Sequence, residues 1–257
     1  MRKLALVAVS GSVAFGTSPI YAQPPKYDVG VGLAMGHVQS REDLVAPLVF
    51  QGPAGALTAS FAGRAETSEL DSRLLVAPVM LRDRYHTLNA AMSVGVDGRW
   101  RFDVSHGSHG VVRVGGMLDV HSWLGYYEAW DDAHAYWLSV ISAGPSLQLV
   151  TRAPGGRDWA MDLEVPVIAV ASRPPRYRLN KADDLVDFGF WVSRVADGPR
   201  VTTLHEYVAG RFRTCWRGRK LGFRVDPWIG FDLESYSVPE WVAHVTYWVG
   251  AEARWGL

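Results

Sequence analysis

The sequence predicts an all-β chain, a single antiparallel transmembrane β-barrel of about ten strands behind an export leader. Three observations predict it. The chain opens on a short secretory-type segment and holds no other apolar run long enough for a membrane-spanning helix. The remainder alternates apolar and polar residues with a period of two. The expected connections are tight at one end of the strands and longer at the other.

The leader comes first. Arg2 and Lys3 precede an apolar stretch over 4–15, and Thr17-Ser18-Pro19-Ile20-Tyr21-Ala22 offers a cleavage site after Ala22. Residues 1–22 are therefore expected to be a signal peptide and 23–257 the barrel. The apolar stretch is too short to span a bilayer, so a chain in the membrane must cross as strands, whose backbone groups pair with one another.

Strands are expected near 26–39, 48–65, 69–82, 90–104, 110–127, 134–152, 157–171, 200–215, 219–235 and 240–257. In the first, Tyr27, Val29, Val31, Leu33 and Met35 share one face, opposite Asp28, Gly30, Gly32, Ala34 and Gly36. Met92, Val94, Val96, Trp100 and Phe102 oppose Asp97, Arg99, Arg101 and Asp103. Trp159, Met161, Leu163, Val165 and Val167 oppose Asp162 and Glu164, and Phe223, Val225, Ile229, Phe231 and Leu233 oppose Arg224, Asp226, Asp232 and Glu234. Alternation alone fits a soluble sandwich as well, with the apolar face turned inward. Pro78, Pro145, Pro166 and Pro227 fall inside expected strands, where each removes a ladder donor, so bulges or local breaks are expected there.

The final strand alternates Tyr247, Val249, Ala251, Ala253, Trp255 and Leu257 up to the chain end. This resembles the C-terminal signal of bacterial outer-membrane β-barrels, with Leu257 standing where the final aromatic is usual. The resemblance implies export to the outer membrane and recognition by the barrel-assembly machinery. With Tyr27 on the periplasmic side, the connections 66–68, 105–109, 153–156 and 216–218 are periplasmic turns, and 40–47, 83–89 and 172–199 are outer loops. Tyr27, Phe102, Trp159 and Trp255 then form an outward girdle at the periplasmic end, with Tyr236 and Trp241 at the other rim.

The inward face carries both signs of charge: Asp97, Arg99, Arg101, Asp103, Arg113, Asp119, His121, Asp162, Glu164, Arg211, Arg213, Arg224, Asp226, Asp232, Glu234, Glu252 and Arg254. Buried charges persist when paired, so the leading expectation is a salt-bridged plug, and a narrow solute channel is the alternative. Lys+Arg and Asp+Glu each number 26, which excludes a charge-driven nucleic-acid partner. Cys215 is alone, so neither a disulfide within the chain nor a thiolate metal cluster is possible. No phosphate-cradling glycine loop, zinc motif or dinucleotide fingerprint is present, and no cofactor is expected. The sequence sets no oligomeric state.

Asp132-x-His134 places a carboxylate and an imidazole on one face of a strand, where the first can orient the second to activate water. The pair is similar to the Asp-x-His half of the omptin outer-membrane proteases, which also have ten strands. That resemblance implies a peptidase with a second acidic pair across the mouth. Asp83 is the candidate for it, but Arg84 and Tyr85 follow in place of the second acid. His106-x-Ser108 resembles the His-x-Ser pair of outer-membrane lipid A deacylases, although here it falls in an expected periplasmic turn. The basic, aromatic stretch beginning with Arg173, Arg176, Tyr177 and Arg178 and ending near Trp191 is the expected outer-loop binding region. Its predicted partners are outer-membrane lipid and lipopolysaccharide phosphates. The expected roles are, in order, a binding or structural barrel, a narrow channel and a surface hydrolase.

Overall fold

The computed structural model describes residues 26–43, 46–85, 87–107, 110–127, 134–153, 157–173, 199–218, 222–238 and 241–256. The leader and Leu257 lie outside them. Twelve strand segments run in chain order: β1 (Lys26–Glu42), β2 (Ala46–Arg64), β3 (Ser68–Arg82), β4 (Leu88–Gly107), β5 (Gly110–Tyr127), β6 (His134–Ala153), β7 (Arg157–Glu164), β8 (Ile168–Ser172), β9 (Arg200–Thr203), β10 (Tyr207–Gly218), β11 (Gly222–Tyr236) and β12 (Val242–Gly256). Each pairs antiparallel with its neighbour, and β1 pairs with β12 from Asp28↔Gly256 to Glu42↔Val242. The sheet is a closed barrel. β7 with β8 and β9 with β10 each form one interrupted wall strand, so the barrel has ten.

Proline accounts for the first interruption. Val165, Pro166 and Val167 leave the strand between β7 and β8, yet the Val165 and Val167 amides still donate to the Pro145 and Ala143 carbonyls at 3.2 and 2.9 Å. Pro78, Pro145 and Pro227 stay within strands and point outward. Each keeps one continuous ladder: Pro78 opposite Met92, Pro145 opposite Gly116 and Pro227 opposite Ala251. On the far side of each the ladder is interrupted or has ended, so the missing donor faces a gap. The second interruption was not expected. Leu204, His205 and Glu206 turn out of the expected 200–215 strand, with the Glu206 amide donating to the Thr203 carbonyl at 2.9 Å.

The apolar face is outside. Leu33 and Met35 are 66% and 77% exposed, and Val96 and Trp100 of β4, Leu163 of β7, Val225 of β11 and Val249 of β12 likewise face away from the lumen. A soluble sandwich would bury these rows; here the inward face mixes buried charges such as Arg101 and Glu252 with buried apolar and aromatic side chains such as Phe50, Leu81 and Trp228. Aromatics gather outside the end where β1 begins and β12 ends: Tyr27 stacks on Phe61 at 6.1 Å, and Trp100 and Phe102 at 5.2 Å and Phe223 and Trp255 at 5.5 Å meet tilted. Tyr236 corrects the expected second girdle. It is 2% exposed and turned into the lumen, because it shares the even parity of Asp232 and Glu234, whereas Trp241 is outward.

Two connections also differ from expectation. The strand runs on through Ser40, Arg41 and Glu42, so the expected 40–47 loop contracts to a short link before Ala46. At the other end, β4 continues through His106 past a register shift between Asp103 and Ser105. His106 is thus on an exposed strand end, not in a turn, and its Nε2 lies 3.1 Å from Asp103 Oδ2.

Candidate functional site: the charged lumen

Alternation brings the inward charges into facing rows. Arg99 is directly opposite Asp71 and Arg101 opposite Glu69 across β3 and β4, while Arg211 is opposite Glu164 and Arg213 opposite Asp162 across β7 and β10. One pairing is repulsive in itself. Asp97 faces Asp119 across β4 and β5, and like charges directly opposite destabilise a ladder. Nearby cations relieve it: Arg99 Nη1, two residues along β4, reaches Asp97 at 2.8 Å, Arg73 of β3 reaches it at 3.3 Å, and Arg211 of β10 grips both Asp119 oxygens at 2.6 and 2.7 Å.

Nearer the terminal end, the side chains meet across the bore. Arg99 binds Asp71 at 3.1 Å and also Glu164 of the opposite wall. Arg101, fully buried, reaches Asp162 at 3.0 Å and donates to Ser146 at 2.8 Å. Arg113 joins Asp103 at 2.6 Å, Glu69 at 2.7 Å and Gln148 at 2.5 Å, and Gln148 passes a hydrogen bond to Asp162 at 2.8 Å. Arg213 and Arg254 share Glu252 at 2.8 and 3.0 Å, and Arg224 bridges Asp28 and Asp226 at 2.9 and 3.0 Å. The cavity beside Arg99 and Glu164 measures about 10 Å³. A site needs roughly that volume to hold one water.

Toward the loop end, a chain of alternating bases and acids crosses the lumen. His121 is held between Asp119, at 2.5 Å from Nδ1, and Glu234, at 2.6 Å from Nε2. Glu234 accepts from the Tyr207 hydroxyl at 3.1 Å and lies 3.6 Å from His244, which in turn lies 3.4 Å from Glu42. Glu42 is fully buried and accepts from Trp123 Nε1 at 2.9 Å and the Tyr127 hydroxyl at 2.7 Å. Beside this chain lies a cavity of about 90 Å³ bounded by Asp119, His121, Trp123, Arg211, Glu234 and His244. Both His121 nitrogens are occupied by carboxylates, which leaves neither to act on a substrate. The described residues hold no group of His, Cys, Asp and Glu side chains arranged to bind a metal ion.

The other predicted residues fall as follows. Asp83 anchors a turn at the loop end, its Oδ1 accepting from the amides of Tyr85 at 2.8 Å and Thr87 at 3.1 Å. Asp132, Arg176, Tyr177, Arg178, Trp191 and Ser108 lie outside the described residues, as does the His134 side chain. Arg173 turns over the lumen mouth rather than outward: its guanidinium sits 5.5 and 5.7 Å from the Tyr136 and Tyr236 rings and donates to the Val238 carbonyl at 3.1 Å. Several lumen residues escaped the sequence reading. Glu69, Asp71 and Arg73 alternate with Leu70, Ser72 and Leu74 and were legible by parity. Glu42 was hidden by its placement in a loop.

A closed ten-stranded antiparallel wall, with outward apolar rows and paired charges buried across its bore, defines a β-barrel of the outer-membrane class. Comparison with known proteins agrees at the level of fold. The outer membrane protease OmpT from Escherichia coli superposes with a TM-score of 0.51 over 93% of this chain and 98% of that one, at 8% identity. Weaker likenesses are the beta domain of the Bordetella autotransporter BrkA and the translocator domain of the Neisseria meningitidis autotransporter NalP. BrkA has a TM-score of 0.41 over 86% of this chain and 98% of that one, at 11% identity. NalP has a TM-score of 0.39 over 88% of each chain, at 8% identity. No protein-family model and no curated protein matches the chain.

Proposed function

We propose that this chain is a non-conducting outer-membrane barrel with a binding role at its loop end, its bore sealed by a structural ionic plug. The observation that carries the reading is the layer around Arg99, Arg101 and Glu164, where side chains from opposite walls meet and the cavity beside Arg99 and Glu164 measures about 10 Å³. In this reading, residues 1–22 direct export, the assembly machinery engages the outward apolar row of β12, and the longer loops face the cell exterior. The cavity beside His121 and Glu234 lies on the loop side of the plug and is walled by both charge signs. It suits a small polar group, not the passage of solute. Planar-bilayer recording of the purified full-length chain tests this. Silence at the level of bare lipid is expected, and stable conductance steps would overturn the plug in favour of a channel.

A further inference from the structure

On β1 and β3 the outward face changes character within one step toward the loop end. Met35 and Met80 are exposed and apolar; His37 and Arg82, the next outward residues, are polar. The ladders hold these groups together. Gln39 is opposite Gln51, and Gln51 is opposite Arg82, so one outward polar row crosses β1, β2 and β3. Arg84 follows from the turn, its guanidinium 4.7 Å from the Tyr85 ring. A groove of about 570 Å³ lies among His37, Gln51, Arg82, Asp83 and Arg84.

The ion pairing here differs from that of the lumen. Each arginine of the facing charged rows described above has a carboxylate partner. Among the described residues, no carboxylate pairs with Arg82 or Arg84, and the Asp83 carboxylate is committed through Oδ1 to the Tyr85 and Thr87 amides. Arginine on the lipid-facing wall costs about 2–4 kcal/mol at the bilayer midplane and close to nothing near the interface. Two outward arginines past Met35 and Met80, with exposed Val49 and Leu88 beside them, therefore mark the headgroup layer, where apolar and cationic groups meet. The guanidinium fork matches phosphate oxygens two at a time, and the adjoining glutamines suit the hydroxyls of a sugar or glycerol.

We propose that this groove binds the phosphate of a phosphorylated lipid headgroup, with Arg82 and Arg84 as its ligands, Gln51 beside Arg82 and His37 lining the side nearest the hydrocarbon. The site is on the outer wall, apart from the lumen, and it rests only on that wall facing lipid. A lipid source is favoured over a free anion because the groove adjoins the exposed Met35 and Met80, where an acyl-linked headgroup would lie.

Native mass spectrometry of the full-length chain in detergent, with diphosphorylated lipid A as the probe, tests this. One lipid retained per chain is expected, with at least a tenfold drop in retention for Arg82→Gln/Arg84→Gln and at least threefold for each single change. Arg64→Gln, exposed at the opposite end of the barrel, should match the unaltered chain. Dephosphorylated lipid A should not be retained, and millimolar inorganic phosphate should not displace the phosphorylated form. Heat-modifiable gel mobility checks that each variant is folded, and the single changes stand in if the pair is not. Equal retention by folded variants, or of the dephosphorylated lipid, overturns the proposal. Displacement by inorganic phosphate reassigns the groove to a free anion and overturns the lipid source. A chain that never enters vesicles refutes the membrane reading itself, a separate failure.

Discussion

Replacing Arg99 with alanine should be among the most damaging single changes in the lumen. Its guanidinium serves Asp71 at 3.1 Å, Asp97 at 2.8 Å and Glu164, all nearly buried. Asp97 would keep Arg73 at 3.3 Å and Glu164 would keep Arg101 at 3.6 Å, but Asp71 would lose the one ion-pair partner it has among the described residues. The loss is therefore that of one broken buried pair, about 3–5 kcal/mol, rather than three. Arg224→Ala should cost little at Asp28, which is 27% exposed in the side chain and open to water, and more at Asp226, which is 4% exposed. Arg200→Ala, at the half-exposed pair with Glu206, should cost about 0–1 kcal/mol. Removing both members together, as Arg99→Met with Asp71→Leu, should recover part of the loss, since an apolar pair leaves no unpaired charge at Asp71. Reversible urea unfolding from lipid vesicles, followed by tryptophan fluorescence, measures the series. An inserted Arg99→Ala barrel that loses less than about 1 kcal/mol would show that water already solvates these carboxylates, and the plug would be refuted.

Two further outcomes follow from the same arrangement. Glu42→Ala leaves the Trp123 and Tyr127 donors without their acceptor, at about 1–3 kcal/mol for each buried donor, whereas Glu42→Gln should retain most of the stability; equal losses in the same unfolding assay would refute this. Protease added to intact cells should cut within 174–198 and spare the strands, and cutting that requires a permeabilised outer membrane would invert the orientation.

The fold was legible because a strand's side chains alternate strictly, so one charged residue fixes the parity of its neighbours. Asp97, Arg99 and Arg101 set the lumen face of β4, and Asp162 and Glu164 that of β7. Residue type is a weaker guide than parity. The aromatic ring of Tyr236 suits a girdle, yet its parity matches Glu234 and its side chain is buried. Trp123 and Tyr127 share the face of Asp119 and His121, yet tryptophan and tyrosine are common on both faces of such barrels and residue type could not place them. Glu42 was lost to a boundary: Ser40 and Glu42 look like loop residues until the ladder with β12 carries them inward. Which arginine meets which carboxylate was beyond the sequence, because partners such as Arg99 and Glu164 lie across the bore on walls whose relative stagger the alternation does not encode.

The central claim is an apolar wall in lipid around a closed ionic lumen, and one step along β1 tests it most directly. Leu33 is 66% exposed and Ala34 6% exposed, with side chains on opposite faces of the same strand. In a Cys215→Ser background, a fluorophore on Leu33→Cys should be strongly quenched by lipids brominated in their acyl tails, and Ala34→Cys should be shielded both from that quencher and from aqueous iodide. Quenching at Ala34→Cys with shielding at Leu33→Cys, or lipid contact at neither, would contradict the account.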